Sequence, residues 1–263
     1  MENSIRMKIR KPVFAFAFVS MQFMTAIGKQ VATRTIAIND TTGSITGKNV
    51  IRMRQLILPG AAVAYGFLTL NNNALKDLDQ EAKHTFYSDH PHRPIVVDDY
   101  LQFAPGGAVL LLSAAGIKGR NRVANQAGVY LLSNLILNAT AQSVKRIAGV
   151  TRPDGTPNSF PSGHAAEAFA SAELMRCEYG KQSAWYMISG YSVAAFVATA
   201  RMYDNRHWLS DVVAGAGLGV ISTQAAYWLY PKITRAFSGK QNGTFVYPYY
   251  VRGQAGVGLS ASF

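Results

Sequence analysis

Long uncharged apolar runs alternate with short polar clusters along most of the chain. Beyond a first run at 12–28, such runs lie at 55–75, 100–117, 123–144, 182–200 and 212–231. A helix needs about 20 apolar residues to cross the hydrocarbon core of a bilayer, and several of these runs are long enough. The pattern therefore predicts an all-α fold, a helical bundle with about six membrane helices. A large, fully buried helical core in a soluble protein is the alternative, because the mean hydropathy is only +0.05.

Period-two alternation, the signature of a strand, is weak and confined to the ends of the chain. It occurs at 30–50 and in the tail after 243, so short irregular or strand-like segments are expected at both termini. We divide the chain into a signal peptide or first membrane helix, an N-terminal or interfacial region, a core and a C-terminal tail. Their predicted bounds are 1–28, 29–97, 98–232 and 233–263.

The N-terminus has the order of a targeting or anchoring segment. The basic stretch MENSIRMKIRK precedes the apolar run 12–28, which ends on the small residues Ala26 and Gly28. Either a cleaved signal peptide or a first membrane helix has this pattern. Both alternatives direct the chain out of the cytoplasm. If 12–28 spans the membrane, the run at 55–75, which Pro59 interrupts, is interfacial. The alternation of the later helices across the membrane allows only one of these two runs to cross.

Charge narrows the range of partners. Charged residues make up 15% of the chain, against about 25% in typical soluble domains, and 26 basic against 14 acidic residues give a net charge of +12. Such a balance fits nucleic acid, an anionic membrane surface or a phosphorylated substrate. The basic residues form short clusters without an interleaved aromatic stripe, so no nucleic-acid partner is predicted. Cys177 is the single cysteine, which excludes an intrachain disulfide and a cysteine-rich metal site.

Three polar clusters carry candidate chemistry. The first places Lys145 and Arg152 after the apolar run 123–144, where basic residues also anchor membrane helices. The second is PSGH at 161–164, in which Ser162 is a good helix N-cap and Gly163 leaves backbone N–H groups open to an anion. A capping serine beside an incidental histidine would give the same letters.

The third cluster pairs a histidine with a carboxylate. His207 and Asp211 are four residues apart, which puts them on one face of a helix, and Arg201 precedes them by six residues. A carboxylate that accepts the Nδ1 hydrogen fixes the tautomer and leaves Nε2 free to attack. Alone, this is also a common structural pair. Together, the clusters supply the cations, N–H donors, nucleophile and acid that phosphoryl transfer requires.

The combination resembles the superfamily of type 2 phosphatidic acid phosphatases and vanadium haloperoxidases. Its signature is K-x6-R-P, then P-S-G-H, then S-R-x5-H-x3-D, and the chain matches it in order and spacing within about 98–230. One position differs, since Ala200 stands where the family usually has serine. This removes one hydroxyl from the expected phosphate pocket.

The resemblance implies a role for each residue. His207 would be the nucleophile, Asp211 would orient it, and His164 would protonate the leaving group and later activate water. The phosphate would be held by five residues: Lys145, Arg152, Ser162, Gly163 and Arg201. No metal and no cofactor is implied, and vanadate is expected to inhibit.

The implied activity is that of a membrane-embedded phosphatase acting on a lipid phosphomonoester or diphosphate. Lipid A, undecaprenyl diphosphate and phosphatidate-type lipids are the candidate substrates, and other membrane lipids are the expected surroundings. The stretch FYSDHPHRPIVVDDYLQFAP resembles a segment of phosphatases from Bacteroidetes-like bacteria, some of which act on lipid A. A soluble, secreted acid phosphatase of the same superfamily and a non-catalytic membrane protein with a degenerate site are the alternatives.

Loop charge predicts the orientation. If 101–117, 123–144, 162–178, 184–200 and 212–230 cross in alternation, the loops opposite the motifs are basic, as cytoplasmic loops are. The site would then face the extracytoplasmic side of a bacterial inner membrane, or the periplasm in the soluble alternative.

Overall fold

The computed structural model describes residues 53–88 and 94–237, and the backbone of 243–251 and 254–262. The segments 1–28 and 30–50, for which the sequence analysis makes predictions, lie outside these residues. Eight α-helices, a short π-helix at His84–Ser88 and one hairpin make up the described fold. The α-helices and strands are α1 (Met53–Thr69), α2 (Asn73–Lys83), α3 (Asp98–Leu101), α4 (Ala104–Ala114), α5 (Val123–Ala148), α6 (Gly163–Tyr179), α7 (Ala184–Tyr203), α8 (Leu209–Phe237), β1 (Gly243–Val251) and β2 (Gln254–Ser262).

Helix α6 is the centre of the bundle. It packs against α4, α5, α7 and α8, and α1 lies along the outer side of α8. Alanines recur along α6, and those at 165, 166, 168, 170 and 172 are fully buried. These small side chains let the neighbouring helices approach closely on several sides, which explains why a helix without a single apolar stripe is the most buried.

The contact between α6 and α8 depends on glycine. A Cβ at Gly215 would lie 2.5 Å from the carbonyl oxygen of Ser162, and a Cβ at Gly219 would overlap the carbonyl oxygen of Ala166. No side chain larger than hydrogen therefore fits at either position. The two glycines bring the backbones of the helices into direct contact near the start of α6.

Three buried glutamates of α6 are satisfied inside the bundle. Glu167 accepts a hydrogen bond from Tyr130 Oη at 2.8 Å, and Glu178 accepts one from Tyr227 Oη at 2.6 Å. Glu173 pairs with Arg176 through two bonds of 2.6 Å. Because buried charges are costly unless paired, these partners explain how a helix with this composition forms the core.

The helices α5 to α8 begin and end close to the predicted bounds, and the tail forms an antiparallel hairpin as the alternation indicated. The predicted span 101–117 differs, because α3 ends at Leu101 and the eleven-residue α4 begins only at Ala104 and ends at Ala114. Pro105 lies in the first turn of α4, and Gly116, with φ of +89°, follows its end. Proline is tolerated at a helix start and not in its interior, so a new helix begins there.

Among the described helices, α8 alone is long and apolar enough, by length and composition, to cross a membrane. The predicted number of six membrane helices therefore stays a prediction.

The helices α5 to α8 alternate in direction, so their ends meet at two opposite poles. At one pole the 117–122 loop contacts the end of α6, where the Asn121 N–H donates to Glu178 at 2.8 Å. At the other pole the end of α5, the start of α6, the end of α7 and the start of α8 come together, and all three sequence clusters lie there.

Candidate active site

His207 and Asp211 lie at the α7–α8 junction and are both buried. Their exposed fractions are 4% and 1%, and His207 Nδ1 is 3.5 Å from Asp211 Oδ2. This separation is longer than a normal N–H···O hydrogen bond, and Nδ1 has no hydrogen-bond partner within the described part of the chain. Catalytic hydrogen bonds are often long before substrate binds. The pair is thus in contact, without a hydrogen bond of normal length between them.

Two donors hold the Asp211 carboxylate in place. Oδ2 accepts the Trp208 N–H at 2.9 Å and a very short bond from Ser159 Oγ. Ser159 is fully buried and lies in the loop that leads to α6. These bonds fix the orientation of the carboxylate that faces the imidazole. The sequence motifs gave no sign of Ser159, because its partner lies 52 residues away.

Burial lowers the pKa of His207 from its ordinary 6.5 to about 4. Asp211 opposes this shift, while Lys145 and Arg152 add to it by repulsion. The ring is consequently neutral at physiological pH, which a nitrogen nucleophile requires. The same result shows that both cations are close enough to His207 to act on it.

Lys145 ends α5 with its ammonium turned toward the loop before α6. Its Nζ donates to the carbonyl oxygens of Asn158 at 2.8 Å and Ser159 at 3.2 Å. Burial, followed by repulsion from Arg152, lowers the pKa of Lys145 to about 8, and Asp211 opposes the shift. Arg152 is half-buried, and its Nε has no hydrogen-bond partner among the described residues. The pair forms a cationic wall beside His207.

The PSGH turn begins α6 as the sequence predicts. Ser162 is the N-cap, and its Oγ accepts the Ala165 N–H at 3.4 Å. The Ser162 N–H, which the resemblance assigns to phosphate, donates to the carbonyl oxygen of Asp211 at 3.0 Å. The Gly163 N–H belongs to the first turn, which has no intrahelical acceptors. A Cβ at Gly163 would meet nothing within 4 Å, so space is open beside this N–H.

His164 and Arg201 share a pair of carboxylates from α3. His164 Nε2 lies 2.9 Å from Asp99 Oδ1, and Arg201 Nη1 lies 3.3 Å from the same oxygen. Arg201 also forms a short ion pair with Asp98, which is fully buried. The structure thus adds two acids to a site for which the motifs named only one. The adjacent aspartates in VVDDY are the sequence signal for them.

A further carboxylate fixes the start of α8. Asp79 of α2 accepts the Ser210 N–H at 2.8 Å and Ser210 Oγ at 2.7 Å. Burial raises the pKa of Asp79, the bonds from Ser210 lower it, and the nearby Asp211 raises it. Asp79 therefore caps α8, the helix that carries Asp211. Asp79 itself lies before the predicted core, and no sequence motif pointed to it.

All eight predicted site residues lie at one pole of the bundle. Two backbone hydrogen bonds hold these residues together. The Ser162 N–H donates to the Asp211 carbonyl, which joins the start of α6 to α8, and the His207 N–H donates to the Arg201 carbonyl at 3.2 Å. Ala200, the departure from the family pattern, is buried in α7. Within the described residues, no group of three or more His, Cys, Asp or Glu side chains is arranged to hold a metal ion.

Comparison with known proteins agrees with this arrangement. Residues 126–235 match the model of the PAP2 superfamily. The "Lipid A 1-phosphatase" of Porphyromonas gingivalis is 40% identical over 162 residues, covering 56% of this chain and 35% of that protein. The "Bacitracin transport permease protein BcrC" of Bacillus licheniformis is 36% identical over 78 residues, covering 29% of this chain and 36% of that protein. The chain thus spans about a third of the length of these relatives.

Two solved structures are similar to this chain at low sequence identity. One is the transmembrane PAP2-type phosphatidylglycerolphosphate phosphatase of Bacillus subtilis, with a TM-score of 0.51 and 18% identity over 68% of this chain and 98% of that one. The other is Aquifex aeolicus LpxE, with a TM-score of 0.44 and 21% identity over 56% of this chain and 93% of that one. The helical core and the three clusters thus agree with the match of residues 126–235 to the PAP2 superfamily.

Proposed function

We propose that this protein is a phosphatase that hydrolyses a lipid phosphomonoester or diphosphate through a phosphohistidine intermediate. The observation that carries the proposal is that His207, buried and neutral, lies beside Asp211 and two cations at the pole where α6 begins. A neutral imidazole, a positive wall and free helical N–H groups are what in-line attack on a phosphoryl group requires.

In the first step, His207 Nε2 attacks phosphorus and the bond from phosphorus to the leaving oxygen breaks. Asp211 stabilises the positive charge that develops on the ring. A proton from His164 passes to the leaving oxygen, which departs as an alcohol or, from a diphosphate, as a phosphate. Lys145, Arg152 and Arg201, with the Gly163 N–H, balance the charge of the phosphoryl oxygens.

In the second step, water attacks the phosphorus of the phosphohistidine. His164, now neutral, takes a proton from this water, and the bond between phosphorus and Nε2 breaks. The electron pair returns to His207, and inorganic phosphate leaves. Ser162 contributes by capping α6 and by tying the turn to Asp211, and all these roles use side chains and N–H groups of this chain.

The proposed substrate is a lipid whose phosphate reaches the site from the outer leaflet of the bacterial inner membrane. The similarity to a lipid A 1-phosphatase supports lipid A as the first substrate to test, followed by undecaprenyl diphosphate and phosphatidate. The exposed apolar side chains of Leu131 and Leu135 on α5 and Leu111 on α4 support a bilayer as the surroundings. We include about six membrane helices and an extracytoplasmic site in the proposal.

Phosphate release by the purified protein is the decisive measurement. We expect release from at least one of the three lipid classes, inhibition by vanadate, and no loss of activity after treatment with EDTA. Cleavage of soluble phosphate esters only, by protein extracted without detergent, would favour the secreted acid phosphatase. No release from any substrate would favour the non-catalytic alternative, and strict dependence on added Mg²⁺ would contradict the proposed chemistry.

A further inference from the structure

The Asp99 carboxylate is the direct partner of the histidine assigned as acid and base. It lies 2.9 Å from His164 Nε2, and both side chains are partly exposed, at 50% and 32%. Asp99 comes from α3, which precedes the region 126–235 that matches the superfamily model. The charged groups that face His164 are Asp98 and Asp99 from α3 and Arg201 from α7.

The chemistry of the contact fixes the tautomer. An ionised carboxylate can only accept a hydrogen bond, so Nε2 of His164 must carry the hydrogen. The other nitrogen, Nδ1, is then the one that can exchange a proton with a substrate oxygen. Burial and Arg201 lower the pKa of His164, and the Asp99 carboxylate in contact opposes them. Asp99 thereby stabilises the imidazolium, which is the form required to protonate a leaving group.

Asp98 and Asp99 divide their contacts in a way that supports this role. Asp98 is fully buried and holds Arg201, so Arg201 keeps a partner without Asp99. The contact from Asp99 to Arg201 is longer, at 3.3 Å, than its contact to His164. Asp99 is thus placed to act mainly on the histidine, while Asp98 fixes the arginine.

We propose that Asp99 is a positioning residue that orients His164 and holds Nδ1 ready to protonate the leaving oxygen. This inference rests on the proposed function. In the first step, Nδ1–H gives its proton to the leaving oxygen as the phosphorus–oxygen bond breaks, while Asp99 keeps the Nε2 hydrogen bond. In the second step, Nδ1 takes a proton from the attacking water.

The test compares esters that need an acid with esters that do not. Full-length wild-type protein and the Asp99→Asn variant are assayed for kcat/KM on phosphatidate, an alkyl ester, and on p-nitrophenyl phosphate, whose leaving group departs without protonation. We expect Asp99→Asn to lower kcat/KM about tenfold or more on phosphatidate and less than about threefold on the aryl ester. The matched control, Asp77→Asn, alters an exposed carboxylate of α2 and should change neither value.

A second comparison tests whether Asp99 acts through His164. In a His164→Ala background, adding Asp99→Asn should change kcat/KM on p-nitrophenyl phosphate by less than about twofold, because the partner is already absent. The aryl ester keeps the rate of this background measurable.

The outcomes separate the two proposals. Equal losses on both esters, no loss, or a gain in activity from Asp99→Asn in an active protein would overturn this inference and leave the phosphatase standing. If adding Asp99→Asn to the His164→Ala background lowered kcat/KM as much as it does in the wild-type background, this inference would also be overturned. Wild-type protein that releases phosphate from neither ester, nor from lipid A or undecaprenyl diphosphate, would overturn the proposed function, and this inference with it.

Discussion

His207 combines a buried ring with an Nδ1 atom that has no hydrogen bond to Asp211 in this structure. Ser159 and Trp208 already hold the nearer carboxylate oxygen, and the other oxygen, Oδ1, has no partner within the described residues. The aspartate is therefore fixed before the histidine engages it. Substrate binding needs to move only the ring, and a fixed acceptor reduces the reorganisation required during the reaction.

Replacing the nucleophile should abolish turnover without unfolding the protein. We expect His207→Ala to lower kcat for phosphate release by at least about 10⁴-fold, since no other histidine in the site has a carboxylate at i+4. The exposed His84 provides the matched control, and His84→Ala should keep wild-type activity. Thermal melting in detergent checks the fold of both variants. Wild-type turnover by His207→Ala would contradict the mechanism.

Activity should follow a bell-shaped pH profile. As pH falls through about 4, the neutral His207 nucleophile is lost. As pH rises, His164 loses the proton that it gives to the leaving oxygen before Lys145 loses its charge near pH 8, because burial and Arg201 lower the pKa of His164 from its ordinary 6.5. The value of kcat/KM, which reports the free enzyme, should therefore decline on both sides of a maximum, with a second alkaline decline near pH 8. Lys145→Arg should remove only this second decline, because arginine stays charged. A first alkaline decline that moves in that variant would contradict the role of His164 as the acid.

The motif residues could be predicted from sequence because their spacing places them at helix ends. Lys145, Ser162 and Asp211 each lie within a turn of a helix terminus, and the turn chemistry identifies them. Asp98 and Asp99 could not be assigned to Arg201 in the same way, because they lie more than a hundred residues before it. Only packing of α3 against α7 and α6 brings them together, and no local pattern encodes that contact.

At the scale of the element, α6 contrasts with the apolar helices around it. Its glutamates pair with polar groups on three neighbouring helices. The polar side chains of α6 therefore lie inside the bundle and link the helices that surround it. Tyr191 Oη of α7 donates to Glu173 at 2.6 Å, and Gln224 of α8 forms a short bond to the same carboxylate. Glu173 thus joins three helices at one point.

Breaking the Glu173–Arg176 pair from one side should destabilise the bundle strongly. Arg176→Met leaves a buried carboxylate without its cation, which costs about 3–5 kcal/mol in the free energy of unfolding. Arg54, exposed on α1, gives the matched control, and Arg54→Met should change that free energy by less than about 0.5 kcal/mol. Denaturant titration in detergent measures both, and equal midpoints for the two variants would contradict the role of the pair.

Helix bounds in α5 to α8 could be predicted because long uncharged runs end at charges or at turn residues. The division of 101–117 was missed because hydropathy counts apolar residues and ignores the backbone. Pro105 lacks an N–H and restricts the residue before it, so α3 and α4 cannot join as one straight helix. The packing of α1 along α8 was also beyond the pattern, since it depends on the close approach of Gly217 to Pro59.

At the scale of the whole molecule, the candidate site lies at one pole of the bundle and basic loops lie at the opposite pole. The opposite pole carries Lys118, Arg120 and Arg122 in one loop and Lys181 in another. Short basic loops stay in the cytoplasm, which predicts that the pole with the candidate site faces outward.

Cysteine labelling tests this orientation. We expect Lys118→Cys to resist a membrane-impermeant thiol reagent in intact spheroplasts and Thr156→Cys to react, in a Cys177→Ala background. Both sites are exposed, whereas a side chain at Gly119 would collide with Gln126. Permeabilised cells provide the control, in which both cysteines should react. The reverse pattern would place the site in the cytoplasm, and labelling of both in intact spheroplasts would favour the soluble alternative.

The glycine contacts between α6 and α8 have a consequence for how this protein could change its substrate. A side chain at Gly215 or Gly219 would meet a backbone carbonyl and push α6 and α8 apart. It would thereby lengthen the distance between the PSGH turn on α6 and Asp211 on α8. Substitutions that alter substrate preference are therefore expected elsewhere, in the segment with α3 and in the α1–α2 hairpin, while the two glycines stay unchanged.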